Sequence, residues 1–204
     1  MPSIYALKSE FQNRLRPLCR QLAHWGIRAN QVTIAAIILS LLMGLLFAWQ
    51  WHHPSVLLLL PLVLFLRMGL NALDGMLARE HGMQTPLGAL LNELGDVIAD
   101  SGLYLPFALL PTVTPLLIVL IVLLSVLTEM TGVVAIQIGA QRRYDGPMGK
   151  SDRAVFFGTM ALLLGLGVPP GVWLNMIFIL ILILLIFTII NRGYQALKQV
   201  ESHV

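Results

Sequence analysis

Six stretches of this chain, at about 30–50, 54–79, 86–110, 113–139, 153–168 and 172–191, are apolar over most of their length. Each is close to the roughly 20 residues an α-helix needs to cross a hydrocarbon core, the fifth being the shortest. A bilayer offers no water to bond backbone amides and carbonyls, so such a chain satisfies them within helices. The expected fold is therefore an all-α, multi-pass membrane protein of six transmembrane helices. Hydrophobic residues make up 57% of the 204 and charged residues 11%, with a mean hydropathy of +0.82, which excludes an ordinary soluble domain. Pro54, Pro86, Pro111, Pro115, Pro147 and the Pro169-Pro170 pair fall at or beside the expected helix ends, where a missing amide donor costs least.

Residues 1–28 are of a different kind. Leu7, Phe11, Leu15, Leu18, Leu22 and Trp25 recur at spacings of three and four, interrupted by Lys8, Arg14, Arg16 and Arg20. This pattern describes an amphipathic helix, either lying on the cytoplasmic membrane surface or capping the membrane helices, with Pro17 as a kink. Residues 29–204 form the membrane-embedded domain with a short cytoplasmic tail. The net charge is +3, but its Lys and Arg gather in alternate loops: before the first span, at Arg79 where the second-to-third loop begins, at Arg142, Arg143, Lys150 and Arg153, and at Arg192 and Lys198. That distribution indicates cytoplasmic termini and speaks against a nucleic-acid face. The single cysteine, Cys19, excludes an internal disulfide, and the first apolar run begins too late for a secretory signal peptide.

Between residues 71 and 100 this apolar pattern is broken by five carboxylates, one arginine and four glycines, in NALDGMLAREHGMQTPLGALLNELGDVIAD. Ionisable side chains at bilayer depth are costly and mark sites facing a protein interior or a polar cavity. Asn71, Asp74 and Ala78 share one helical face, and Gly88, Asn92, Asp96 and Asp100 step by four along the next helix. A short connection makes these helices antiparallel neighbours, which brings Asp74 and Asp96 to comparable depth. Oxygen ligands there suit Mg²⁺ or Mn²⁺ rather than a soft metal. Small residues, Gly75, Ala78 and Gly88, let one backbone approach another and leave space beside these helices.

Asp74-Gly75-x-x-Ala78-Arg79, followed at fixed spacing by Gly88, Asn92 and Asp96, resembles the signature of the CDP-alcohol phosphatidyltransferase family. The signature specifies residue types at eight positions over 26 residues, and six agree; the departures are Asn71 and Asn92, where the family has Asp. The resemblance implies transfer of a phosphatidyl group from a CDP-linked donor such as CDP-diacylglycerol to an alcohol, releasing CMP, in phospholipid biosynthesis. It implies Asp74 and Asp96 as catalytic residues, Asp74 a metal ligand and Asp96 both ligand and general base. Asn71 and Asn92 then stand at metal-ligand positions for one or two Mg²⁺ or Mn²⁺ ions, and Arg79 anchors a phosphate or the nucleotide. Two further segments are similar to family elements: Ala29-Asn30-Gln31-Val32-Thr33, whose Asn30 and Thr33 would bond the nucleotide, and Gly149-Lys150-Ser151-Asp152-Arg153, whose Lys150 and Arg153 would contact phosphate. A helix cap and a topology signal are the plainer readings of these two segments. The resemblance also implies a bacterial inner-membrane location, a membrane-embedded homodimer, and a small alcohol acceptor.

An amide is neutral and offers one ligating oxygen, so replacing two of four carboxylates removes two negative charges and leaves one metal as the simpler arrangement. Arg67 and Asp100 lie deep enough on their helices to pair with each other, with Glu129 as competitor or third member. Glu80 reads as a solvated loop residue, and none of the five histidines is placed as a ligand. Two other functions stay open: a catalytically silent relative that binds a nucleotide-lipid or a protein partner, and a transporter. The transporter is disfavoured because the carboxylates cluster and do not form a relay across the spans.

Overall fold

The computed structural model describes residues 4–202, and among these described residues there are helices and short connections and no strand. Seven α-helices follow in order: α1 Ile4–His24, α2 Ala29–Trp49, α3 Leu59–Glu80, α4 Pro86–Tyr104, α5 Pro115–Val134, α6 Lys150–Gly165 and α7 Val172–Glu201. Short 3-10 helices, Pro54–Leu58, Leu105–Leu109 and Ala135–Ile138, lead into α3 and extend α4 and α5. Pro86 and Pro115 open α4 and α5 as the first helical residue, where the absent N–H would have had no partner.

Four segments are long and apolar enough to cross a membrane: Ala29–Trp49, Pro54–Glu80, Pro115–Ile138 and Val172–Glu201. The two other expected spans appear as helices of a different character. Helix α4 carries Glu93, Asp96 and Asp100, and α6 has 16 residues, a rise of about 24 Å.

The chain forms two compact units, residues 1–42 with 62–99, and residues 43–61 with 100–204. In the first, Cys19, Ala29, Val32, Leu73, Met76 and Leu77 make a core against which Leu15, Leu22, Ala23 and Ala78 pack. Helix α1 thus docks on α2 and α3 through Leu15, Cys19 and Leu22, while Leu18 and Trp25 of the expected apolar stripe face outward. The helix runs through Pro17 without interruption. Glu80, read from sequence as a loop residue, is the last residue of α3, and the Arg16 guanidinium grips it with two bonds of 3.1 and 3.3 Å.

The second unit is built on aromatic packing. Phe107 meets Phe47 edge-on at 5.1 Å and Phe157 at 5.0 Å, and Tyr104 stacks on Phe157 at 4.0 Å. Offset and edge contacts of this kind add about 0.5–1.5 kcal/mol per pair beyond the area they bury. Helix α5 packs on α7, and α6 on the Pro54–Leu58 turn. A methyl group at Gly165 would lie 2.7 Å from Leu58 Cδ2, so this contact needs a glycine.

Candidate active site

Most of the expected site residues lie in the first unit. Helix α3 presents Arg67, Asn71 and Asp74 on one face, since steps of four and three return a side chain to the same side. Asp74 is buried, and its Oδ2 accepts a 2.8 Å bond from the Thr33 hydroxyl of α2. That hydroxyl also lies 3.2 Å from the Ala29 carbonyl one turn back. It has a single proton, and the shorter contact to a charged oxygen takes it. Thr33, expected to bond a nucleotide, therefore positions a carboxylate.

Asp96, on α4, accepts from two side chains of α3. Its Oδ1 receives Asn71 Nδ2 at 3.3 Å and Arg67 Nη2 at 3.4 Å, and Nη2 also reaches the Asp96 backbone carbonyl at 3.2 Å. The Arg67 side chain is only 4% exposed, against 21% for Asp96, so the pair looks from the protein interior toward a more open side. Asn71 offers Asp96 its amide donor, which turns its carbonyl oxygen, the atom able to ligate a cation, to the other side. Asn92, one turn before Asp96, is exposed.

At Gly75 and Gly88 the space a side chain would fill is taken by neighbouring side chains, where the sequence reading expected an approaching backbone. A methyl at Gly75 would lie 3.1 Å from Arg79 Nη2, so the missing side chain is what lets that guanidinium fold back over α3. At Gly88 a methyl would come within 2.6 Å of Asn30 Oδ1. The Thr85 hydroxyl caps α4 by accepting the Gly88 N–H at 2.9 Å and also accepts Asn30 Nδ2 at 3.1 Å. Asn30 and Gly88 are thereby brought together, while Ala78 is packed against the core of the unit. Thr85 was not singled out from sequence, although a Thr immediately before a helix-opening Pro is a recognisable cap signal. Arg67 was assigned elsewhere, although it lies one turn before Asn71 on the same face.

Lys150 and Arg153 lie in the second unit. Lys150 opens α6 and is half-buried. Arg153 is 1% exposed and all five of its N–H donors are engaged. Nε and Nη2 reach Asp100 Oδ2 at 3.2 and 2.9 Å, Nη2 also reaches Glu129 at 3.1 Å, and Nη1 reaches Thr128 and the Met148 carbonyl. Arg192 and Arg142 close on the other Glu129 oxygen at 3.4 and 3.5 Å. Two pairings that the sequence reading did not name are thus present: Arg67 with Asp96, and Arg153 with Asp100. Glu129 does join the deep charges, as a partner of Arg153.

A family model described as CDP-alcohol phosphatidyltransferase matches residues 27–193. The chain is 48% identical over 190 residues to the inner membrane protein YnbA of Escherichia coli (strain K12), covering 93% of this chain and 94% of that protein. Its fold is similar to that of the phosphatidylinositol phosphate synthase PgsA1 of Mycobacterium tuberculosis, solved with CDP-DAG bound (TM-score 0.69, 21% identity, 90% of this chain and 92% of that one). A second structure of PgsA1, in complex with manganese and citrate, aligns with a TM-score of 0.74 over 88% of this chain and 87% of that one, also at 21% identity. With apolar helices of spanning length and a membrane protein as a near relative, the chain is an integral membrane protein. By the family model and the placement of the Asp-Gly-x-x-Ala-Arg signature on α3 and α4, it belongs to the CDP-alcohol phosphatidyltransferase family.

Proposed function

We propose that this protein transfers a phosphatidyl group from a CDP-linked lipid donor, such as CDP-diacylglycerol, to a small alcohol and releases CMP. The observation that carries this reading is the retention of Asp74 and Asp96 on facing helices of one unit, beside the space left by Gly75 and Gly88. PgsA1, which shares the fold, was solved with CDP-DAG in one structure and manganese in another.

In the reaction the acceptor hydroxyl oxygen attacks the lipid-bearing phosphorus, a new P–O bond forms, and the bridging P–O bond to CMP breaks. The hydroxyl proton passes to Asp96, the more exposed carboxylate. Arg79, folded over Gly75, meets donor phosphate, and Asn30 beside Gly88 faces the nucleotide. Arg153, in the second unit, has its donors committed and serves as scaffold there.

A divalent cation, when bound, neutralises charge on the pyrophosphate oxygens. The donors present fit one such ion: two carboxylates, Asp74 and Asp96, supply two negative charges, and donor phosphate oxygens would complete a hard-oxygen shell. Among the described residues no group of three or more His, Cys, Asp or Glu forms a ready-made metal cluster. A protein of this design takes its ion together with the donor. The same reading places six helices across the bacterial inner membrane, with both termini cytoplasmic, and pairs two chains as a homodimer.

The test is incubation of the purified protein with CDP-diacylglycerol, Mg²⁺ or Mn²⁺ and a panel of alcohols, reading CMP and the lipid product. Asp74→Asn and Asp96→Asn are each expected to lower CMP release by about 10²–10⁴. Donor binding without CMP release from any acceptor would replace the enzyme by a binding protein, the alternative that the amides at Asn71 and Asn92 raise. Near-normal release from both variants would move the active site elsewhere.

A further inference from the structure

The electrostatics around Asp96 are unusual for a site that handles dications. A permanent cation, the Arg67 guanidinium, is buried against that carboxylate; its Nη2 donates to Oδ1 and to the Asp96 backbone carbonyl. The Asn71 amide donates to the same oxygen. Two donors already occupy the Oδ1 lone pairs, so an ion that used both Asp96 oxygens, or a second ion on Oδ1, would have to displace them and sit beside a fixed positive charge. The acidic charge available to ions in the motif is that of Asp74 and Asp96, because positions 71 and 92 are amides.

Resting on the proposed function, we infer that Arg67 is a built-in cation that takes the electrostatic place of a second divalent ion, so that the site works with a single metal. Arg67 lies one turn before Asn71 on the α3 face that carries Asp74, and its reach across to α4 balances the Asp96 charge from within the protein. The loss of carboxylate at position 71 and the presence of Arg67 are then two halves of one arrangement. A carboxylate at 71 would turn the donor that Asp96 now receives into a repelling acceptor, and would ask for a metal between them. Arg67 acts as a charge-balancing residue; the substrate is met by other side chains.

The experiment is the stoichiometry of Mn²⁺ bound to the full-length protein in detergent, by calorimetry and by electron paramagnetic resonance, with and without CDP-diacylglycerol. The wild type is expected to bind one Mn²⁺ per chain, with no Mn–Mn coupling. The Arg67→Leu/Asn71→Asp/Asn92→Asp protein is expected to bind two, with coupling. Arg67→Gln, which keeps a hydrogen-bond donor and drops the charge, should tighten Mn²⁺ binding at least tenfold and decides the matter if the triple variant does not fold. Two coupled ions in the wild type, a folded triple variant that still binds one, or unchanged affinity in Arg67→Gln would overturn the inference. CMP release accompanied by two bound ions rejects the role of Arg67 and leaves the enzyme standing. Failure to bind donor or metal and to release CMP rejects both.

Discussion

Replacing Arg153 by leucine tests whether the second unit is held by its buried charges. The guanidinium uses all five donors among Asp100, Glu129, Thr128 and the Met148 carbonyl, and Arg153, Asp100 and Glu129 are 1%, 4% and 8% exposed. Glu129 keeps Arg192 and Arg142 when Arg153 is removed, so the larger loss falls on Asp100, which gives up two N–H bonds to one oxygen. Breaking a buried pair from one side costs about 3–5 kcal/mol. For a chain of this size that is a fall in Tm of about 6–20 °C, at roughly 2–4 °C per kcal/mol. Arg153→Lys recovers only part of it, since an ammonium has three donors and no planar fork. Asp100→Leu should also be costly, whereas Asp100→Leu with Arg153→Leu removes both charges and should be milder than the sum by about 1–3 kcal/mol. Thermal unfolding in detergent, followed by tryptophan fluorescence across the four proteins, measures this coupling. Strict additivity, or a shift below about 2 °C for Arg153→Leu, would refute the argument.

Thr33→Val removes the 2.8 Å bond that orients Asp74; a hydrogen bond to a charged group contributes about 1.5–3 kcal/mol, so turnover at limiting Mg²⁺ should fall about tenfold to a hundredfold and Thr33→Ser should retain it. Equal rates for wild type and Thr33→Val would show that the bond does not position the carboxylate. Burial pushes the Cys19 thiol above its ordinary range, with Glu80 adding to the effect and Arg16 opposing it. Maleimide labelling of the folded protein should therefore be slow at neutral pH and rise only in strongly alkaline buffer, and the stability contributed by the neutral thiol should fade as pH climbs from the ordinary thiol range toward the raised value. Labelling at the rate of a free thiol would contradict the docking of α1. Gly44→Ala sets two effects in competition: alanine favours a helix by about 1 kcal/mol, but its Cβ would run into the Gly102 carbonyl oxygen, a backbone atom that cannot rotate away. Overpacking costs about 1–3 kcal/mol, so Tm should fall; a rise would mean that the two helices separate easily.

The sequence by itself determined the class of fold, the helical segments and the positions where chemistry is possible. Apolar runs near the length of a span, prolines at helix starts and a fixed motif are local properties, and they survive in α2 to α7 and in the placement of Asp74, Gly75, Gly88 and Asp96. Helical periodicity also put Arg67, Asn71 and Asp74 on one face without reference to any neighbour. What periodicity does not contain is the rotation and approach of one helix against another. Charge pairs form or fail within 3–4 Å, and a helix turned by one residue moves a side chain by about 100°. Arg67 thus reaches Asp96, and Arg153 reaches Asp100 from 53 positions away, partners that depth along each helix does not name. The same applies to α1, whose inward face is Leu15, Cys19 and Leu22, and to Glu80, which Arg16 claims from 64 positions away. Which residues are buried and near which is decided when the helices pack, because only then do desolvation and close approach choose among charges that the chain places at similar depth.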